Sequence, residues 1–298
     1  MRKLILASGV LATIAIALFI LRGCQPSLPI QPRVIYTLYL PMVAKNHNAK
    51  LAAMRGVAAS GNGGVEAVRQ TGASFYLNWW YQPSAGMPTN VEFVPMISAP
   101  QYPMPDTIAD SEYLMGANEP NVYGQVQTCP ADYVATWREI ENRYGDRKLV
   151  SPGVGSWGNT WCYAPDGKIW QGIGGVDWLT DFRVFYHRQY GVYPQWSVLS
   201  FHCYPPPEAP CGDFRAATDV MVALADEWNI DEIWITEWDA GKLGAQDPQR
   251  IRNVMAYWLT VSKVTRIAYY QDWAEAAPQN SPLTDASGQI TEYGKAYR

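Results

Sequence analysis

From about residue 51 onward, short apolar runs of four to six residues alternate with longer stretches whose apolar positions recur every three or four residues. The short runs read as strands buried in a parallel sheet, and the 3.6-residue periodicity reads as amphipathic helices packed against it. The pattern predicts strands over 54–59, 74–79, 92–97, 113–117, 148–151, 197–202, 232–236 and 266–270. Between them it predicts a short helix ending at Arg69, then helices over 131–144, about 176–190, about 216–228, 248–262 and about 291–298. The helix over 131–144 places Tyr133, Trp137, Ile140 and Tyr144 on one face. Pro100, Pro103 and Pro105 leave little room for a helix after the third strand. Eight strand–helix pairs in about 250 residues is the count and size of an α/β (β/α)8 TIM barrel.

Ahead of the barrel the pattern changes. Arg2 and Lys3 precede an uncharged stretch from Leu4 to Leu21, followed by Arg22-Gly23-Cys24. That stretch is long for a signal-peptide core and just long enough to span a bilayer, so residues 1–24 read as a membrane-targeting segment. The ending Leu21-Arg22-Gly23-Cys24 resembles a bacterial lipobox, in which Cys24 would be lipidated, although Arg22 departs from the small or apolar residue expected there. A lipoprotein, an uncleaved signal anchor and plain secretion all leave the rest of the chain outside the cytoplasm. Residues 25–50, with Pro26, Pro29, Pro32 and Pro41 and then Asn46, His47 and Asn48, read as a tether. Within it Val34-Ile-Tyr-Thr-Leu-Tyr-Leu40 is apolar enough to be a docked edge strand. Residues 51–298 form the remaining domain.

Composition narrows the function. The chain of 298 residues carries a net charge of -4, and its longest basic run is Arg147-Lys148, so nucleic acid is not an expected partner. With 13 Trp and 19 Tyr against 7 Phe, most large rings have a polar handle, which suits wet surfaces and sugar faces. Apart from Cys24 there are four cysteines, and an even number outside the cytoplasm argues for two disulfides. Of the three possible pairings, Cys129–Cys162 with Cys203–Cys211 is favoured, because the second closes a short Pro-rich loop. There is no C-x-x-C, and the only histidines are His47, His187 and His202, so neither a metal nor a cofactor is expected.

Two of the apolar runs stop on a glutamate: the stretch Tyr113 to Ala117 leads into Asn118-Glu119-Pro120-Asn121, and Ile233-Trp-Ile-Thr leads into Glu237-Trp238. In a parallel barrel those tips lie on the catalytic rim, and Pro120 forces the chain out of the sheet. A single such glutamate would mark only a strand emerging into solvent; two of them, with Asn118 and many rings nearby, suggest a two-carboxylate enzyme. Other strand ends bring Asn78, Trp79, Trp80, Met96, His202, Tyr204, Gln271, Asp272 and Trp273 to the same rim. The candidate substrate-binding set is Asn78, Trp79, Trp80, Asn118, His202, Tyr204, Trp238 and Trp273. Trp79 and Trp80 are adjacent, so one at most faces the cleft unless the chain has already turned.

The ordered segments Phe75-Tyr-Leu-Asn78-Trp79, Val94-Pro95-Met96, Leu114 to Pro120, Ser151-Pro152, His202-Cys-Tyr204, Ile233 to Glu237, Asn280 to Leu283 and Thr291 to Gly294 resemble glycoside hydrolase family 128. These are β-1,3-glucanases of the clan with its acid/base on the fourth strand and nucleophile on the seventh. The resemblance implies Glu119 as acid/base, Glu237 as nucleophile and Asn118 as a ligand of the sugar 2-hydroxyl. It implies a retaining, endo-acting enzyme on β-1,3-glucan that needs no cofactor; a monomer that touches a membrane only through its N-terminal segment is the separate expectation from residues 1–24 and the single remaining domain. Glu119 would then have to carry a proton while Glu237 is ionised. Ala117, Cys203 and Trp238 depart from the family pattern and leave the linkage open. A β-1,4-mannan or xylan substrate, a glycan-binding barrel without turnover and a structural envelope protein are the alternatives.

Overall fold

The computed structural model describes residues 41–59, 61–98, 104–156, 158–204, 214–239, 248–271 and 281–298. Helix α1 (Pro41–Met54) runs into the first strand, so the last part of the segment read as a tether is helical. Lys50 Nζ donates to the Leu259 carbonyl at 2.9 Å, which ties that helix to the body of the fold. Cys24 and the candidate edge strand over 34–40 lie outside the described residues. Among the described residues, no helix is long and apolar enough to cross a membrane.

The elements that follow are β1 (Arg55–Ala58), α2 (Gly61–Thr71), β2 (Phe75–Leu77), β3 (Glu92–Phe93), β4 (Tyr113–Met115), α3 (Pro130–Tyr144) and β5 (Lys148–Val150). Then come β6 (Val154–Gly155), β7 (Trp161–Tyr163), β8 (Ile169–Gln171), α4 (Gly175–Tyr190), β9 (Val198–His202) and α5 (Phe214–Trp228). The chain ends with β10 (Glu232–Trp238), α6 (Pro248–Thr260), β11 (Val264–Tyr270) and α7 (Glu292–Tyr297). Each predicted strand and helix is present within a few residues. The strands pair in parallel in the order β3-β2-β1-β11-β10-β9-β5-β4. A parallel bridge from Met96 to Met115 joins the two edges, with Met115 N–H to Pro95 O at 2.9 Å and Ile97 N–H to Met115 O at 3.0 Å, and the barrel is closed.

Three short strands escape the pattern. β6 carries the line of β5 onward to pair with β9, and β7 and β8 form an antiparallel hairpin inside the Gly- and Trp-rich loop. Cys162 of β7 is bonded to Cys129 at the start of α3, which pins that hairpin to the barrel wall. Cys203 is buried and Cys211 lies outside the described residues.

Two apolar layers hold the fold together. Phe75, Leu77, Val94, Met96, Met115, Val150, Val198, Trp234 and Ala268 fill the barrel, while Trp137, Trp178, Phe182, Trp196 and Trp258 are among those that pack the helices onto its outside. The predicted face of α3 is the buried one. At the N-terminal end of the barrel Arg266 lies over the rings of Phe75, Tyr113 and Trp234, at 5.0, 4.6 and 4.4 Å, and pairs with Glu92 at 2.8 Å. Gly56 is required there, because a Cβ would come within 2.3 Å of the Phe75 ring.

Candidate active site

Backbone irregularities lift the chemistry out of the C-terminal mouth. The β4–β5 register of Met115 on Val150 runs on to Asn118 on Gly153, and Glu119 N–H donates to Gly153 O at 2.8 Å. Pro120 then ends the ladder, and Glu119 sits at φ 43°, a conformation that costs a non-glycine residue about 1–3 kcal/mol. Any side chain at Gly153 would displace the imidazole, since a Cβ would lie 2.8 Å from His202 Nε2.

Glu237 arrives by a different device. Trp234 pairs with Ser200 and Ile235 with Phe201, but His202 pairs with Glu237, so Thr236 is a β-bulge. On the other side Val150 pairs with Val198 and Val154 with Phe201, so β9 is again one residue shorter than its neighbour. Trp234 faces the interior; without the bulge Thr236 would do so and Glu237 would point at the helices. With it, Glu237 turns inward beside His202.

Those two turns bring the carboxylates together. His202 Nδ1 is 2.8 Å from Glu119 Oε1 and 3.4 Å from Glu237 Oε2, and the facing atoms of the three residues all lie within 4.8 Å of one another. Trp79 Nε1–H donates to Glu237 Oε1 at 2.5 Å and Tyr204 O–H to Oε2 at 3.2 Å. Burial pushes the Glu237 carboxyl above its ordinary range; His202 opposes this, the neighbouring Glu119 charge reinforces it, and the Trp79 and Tyr204 hydrogen bonds oppose it. Burial and then the Glu237 charge hold the Tyr204 hydroxyl far above its usual range, so it remains a donor. The three-residue cluster has the spacing of a metal site. However, the 2.8 Å His202–Glu119 contact is a direct hydrogen bond, so these groups satisfy one another.

Of the residues expected at the rim, Glu119, Glu237, Trp79, Asn118, His202 and Tyr204 converge. Asn118 is buried; its Nδ2 reaches Gln125 Oε1 at 3.4 Å, while its Oδ1 has no partner and is available to a hydroxyl donor. Trp80 stands at the edge, 40% exposed, with its ring centroid 4.5 Å from that of Tyr81. Asn78 does not face the cleft: its Nδ2 donates to Gln82 O and Ser84 Oγ, both at 2.9 Å, and its Oδ1 accepts from Trp80 N–H at 3.2 Å. It builds the turn over 78–84 instead of binding substrate.

Trp238 is likewise corrected. It is wholly buried on the helix side against Trp258, Tyr269 and Tyr297, because the residue after an inward Glu237 must point outward. Trp273 and Asp272 lie outside the described residues, and Gln271 anchors the chain at Leu283 N–H, 2.7 Å away. Sequence reading missed three participants. Tyr270 lies edge-on to both Trp79 and Tyr204 at 5.8 and 6.2 Å. Gly153 carries no side-chain signal. The Asn121 side chain exchanges hydrogen bonds with the Gly155 backbone at 2.9 and 3.0 Å, and its place in Asn118-Glu-Pro-Asn121 was the available hint.

A closed (β/α)8 barrel with two buried carboxylates facing each other at the ends of its fourth and seventh strands has the architecture of a glycosidase. The chain belongs to the glycosyl hydrolase catalytic core family, whose sequence model matches residues 56–297. Among solved structures it is similar to a curdlan-specific exo-β-1,3-glucanase of glycoside hydrolase family 128, subgroup III, from Blastomyces gilchristii. That match has a TM-score of 0.60 and 20% identity, covering 83% of this chain and 97% of that one. A subgroup II endo-β-1,3-glucanase from Pseudomonas viridiflava matches with a TM-score of 0.60 and 22% identity, over 82% of this chain and 96% of that one. A subgroup I endo-β-1,3-glucanase from Amycolatopsis mediterranei, bound to laminaritriose, matches at 0.60 and 20% identity, over 82% and 98%. No curated protein matches the chain.

Proposed function

We propose that the enzyme is a retaining endo-glucanase acting on β-1,3-glucan at the cell exterior, with Glu119 as acid/base and Glu237 as nucleophile. The observation that carries the mechanism is the carboxylate separation: oxygens of Glu119 and Glu237 lie within 4.8 Å of each other. Retaining glycosidases hold the pair roughly 5–5.5 Å apart, whereas inverting ones need about 6.5–9.5 Å to admit a water. The linkage rests on the family 128 glucanases whose fold this barrel shares. The location rests on Arg2, Lys3, the apolar stretch to Leu21 and Cys24, and it is consistent with the Cys129–Cys162 disulfide.

In the first step Glu119 donates its proton to the departing glycosidic oxygen while ionised Glu237 attacks the anomeric carbon and forms a glycosyl-enzyme ester. In the second, Glu119 takes a proton from water, which opens the ester and restores the starting configuration. Asn118 Oδ1 is placed to accept from the sugar 2-hydroxyl. His202 Nδ1, 2.8 Å from Glu119 and 3.4 Å from Glu237, fixes the two carboxylates relative to each other.

The test is reducing-sugar release from laminarin and curdlan, with a β-1,4-mannan and xylan panel alongside, and the anomer of the first product read by NMR. Release of β-configured oligosaccharides of mixed length from the β-1,3-glucans is expected. An α-configured product would overturn retention, single-glucose release would overturn endo action, and turnover confined to the β-1,4 panel would overturn the linkage. Labelling of Cys24 by a fatty-acid probe in a bacterial host tests the anchoring.

A further inference from the structure

We infer that Trp79 is a positioning residue for the nucleophile, holding Glu237 Oε1 through its indole N–H, and that it does not serve as a stacking platform for the sugar. This rests on reading Glu237 as the nucleophile. Indole has one donor and no acceptor, and here that donor is committed to the carboxylate at 2.5 Å. The backbone is bent to make the contact: Trp79 sits at φ 59°, where bulky residues are rare. The turn that imposes this conformation is fastened by the three Asn78 hydrogen bonds to Trp80 N–H, Gln82 O and Ser84 Oγ. Asn78 therefore acts on the site through Trp79.

The ring itself is edge-on to Tyr270, and Tyr270 is edge-on to Tyr204. The three rings form an arc with a donor at each end, Trp79 on Oε1 and Tyr204 on Oε2, so both oxygens of Glu237 are gripped. The other ionisable groups around Glu237 are Glu119 on the β4 loop and His202 on β9, while buried Asp239 just after β10 acts on Tyr204. In so buried a position each donor favours the ionised carboxylate that must attack.

The test compares the parent with Trp79→Phe, which keeps a ring and loses the donor, using laminarioligosaccharides across pH. A 10- to 100-fold fall in kcat with KM within twofold, together with an upward move of the acid limb of kcat/KM, is expected. Binding of laminarihexaose to Glu119→Gln and to the Glu119→Gln, Trp79→Phe pair is measured by calorimetry, and affinities within twofold are expected. A tenfold loss of affinity, or an unchanged kcat and acid limb, would overturn the inference in favour of stacking. Should Trp79→Phe fail to fold, Asn78→Ala loosens the same turn with the ring intact; a fall in kcat without a rise in KM supports the inference, and an unchanged kcat overturns it. Glu237→Gln is run beside them: retained hydrolysis there sinks the nucleophile assignment itself, which separates that failure from a failure of the role given to Trp79.

Discussion

The two ends of the barrel handle buried charge in opposite ways. At the N-terminal end Arg266 is enclosed by three rings and paired with Glu92. At the C-terminal end two carboxylates share one imidazole, Asn118 Oδ1 lacks a partner, and both Trp79 and Glu119 occupy left-handed backbone conformations. One end pairs its charge with an opposite one and closes the structure; the other keeps like charges together and holds them there with strain. The difference marks which end spends stability on chemistry.

The sharpest way to test that division is to remove the carboxylates. Glu119→Gln and Glu237→Gln are each expected to lower kcat by about a thousandfold to a hundred-thousandfold on laminarin. Calorimetry adds a sign. Because burial raises the folded-state pKa of Glu237, the folded protein binds its proton more tightly than the unfolded chain, and stability is lost as pH rises from the ordinary glutamate range through the raised value. Glu237→Gln should therefore melt a few degrees higher than the parent at pH 7, and the gain should vanish below about pH 4. Next, Gly153→Ala drives a methyl toward His202 Nε2 and should lower kcat by about a hundredfold with the fold retained, checked by kinetics beside circular dichroism.

At the other end, Arg266→Ala is expected to leave kcat within twofold and to reduce unfolding free energy by about 1–3 kcal/mol in urea. A kcat loss larger than tenfold there would erase the contrast between the ends. Smallest of all, dialysis against EDTA should leave glucan hydrolysis unchanged, since His202 and Glu119 bond directly to each other; a loss restored by a divalent ion would make the same cluster a metal site.

Much of the architecture was legible because apolar runs and amphipathic faces report burial directly: Tyr133, Trp137, Ile140 and Tyr144 of α3 are buried together. Glu119 could be placed from Pro120, which dictates where the ladder must stop. What could not be read is whatever depends on long-range backbone fit. The turn that points the Asn78 side chain back at its own loop involves Gln82 and Ser84, and no local pattern announces it. The hairpin of β7 and β8 is built from strands of three residues each, too short to show a period. α1 lacks a clear apolar stripe, and its Pro41, Asn46 and Asn48 read as linker.

The bulge at Thr236 gives β10 two reading frames. Up to Ile235 the strand is read in the frame of the barrel core; from Glu237 onward the same strand is read in the frame of the catalysis, displaced by one position. Straightening the bulge with Thr236 still in the chain would be a frameshift in space. It would leave every apolar residue below it where it is, rotate Glu237 into the helical shell and Trp238 into the mouth, and produce a folded barrel whose proposed nucleophile faces the wrong way.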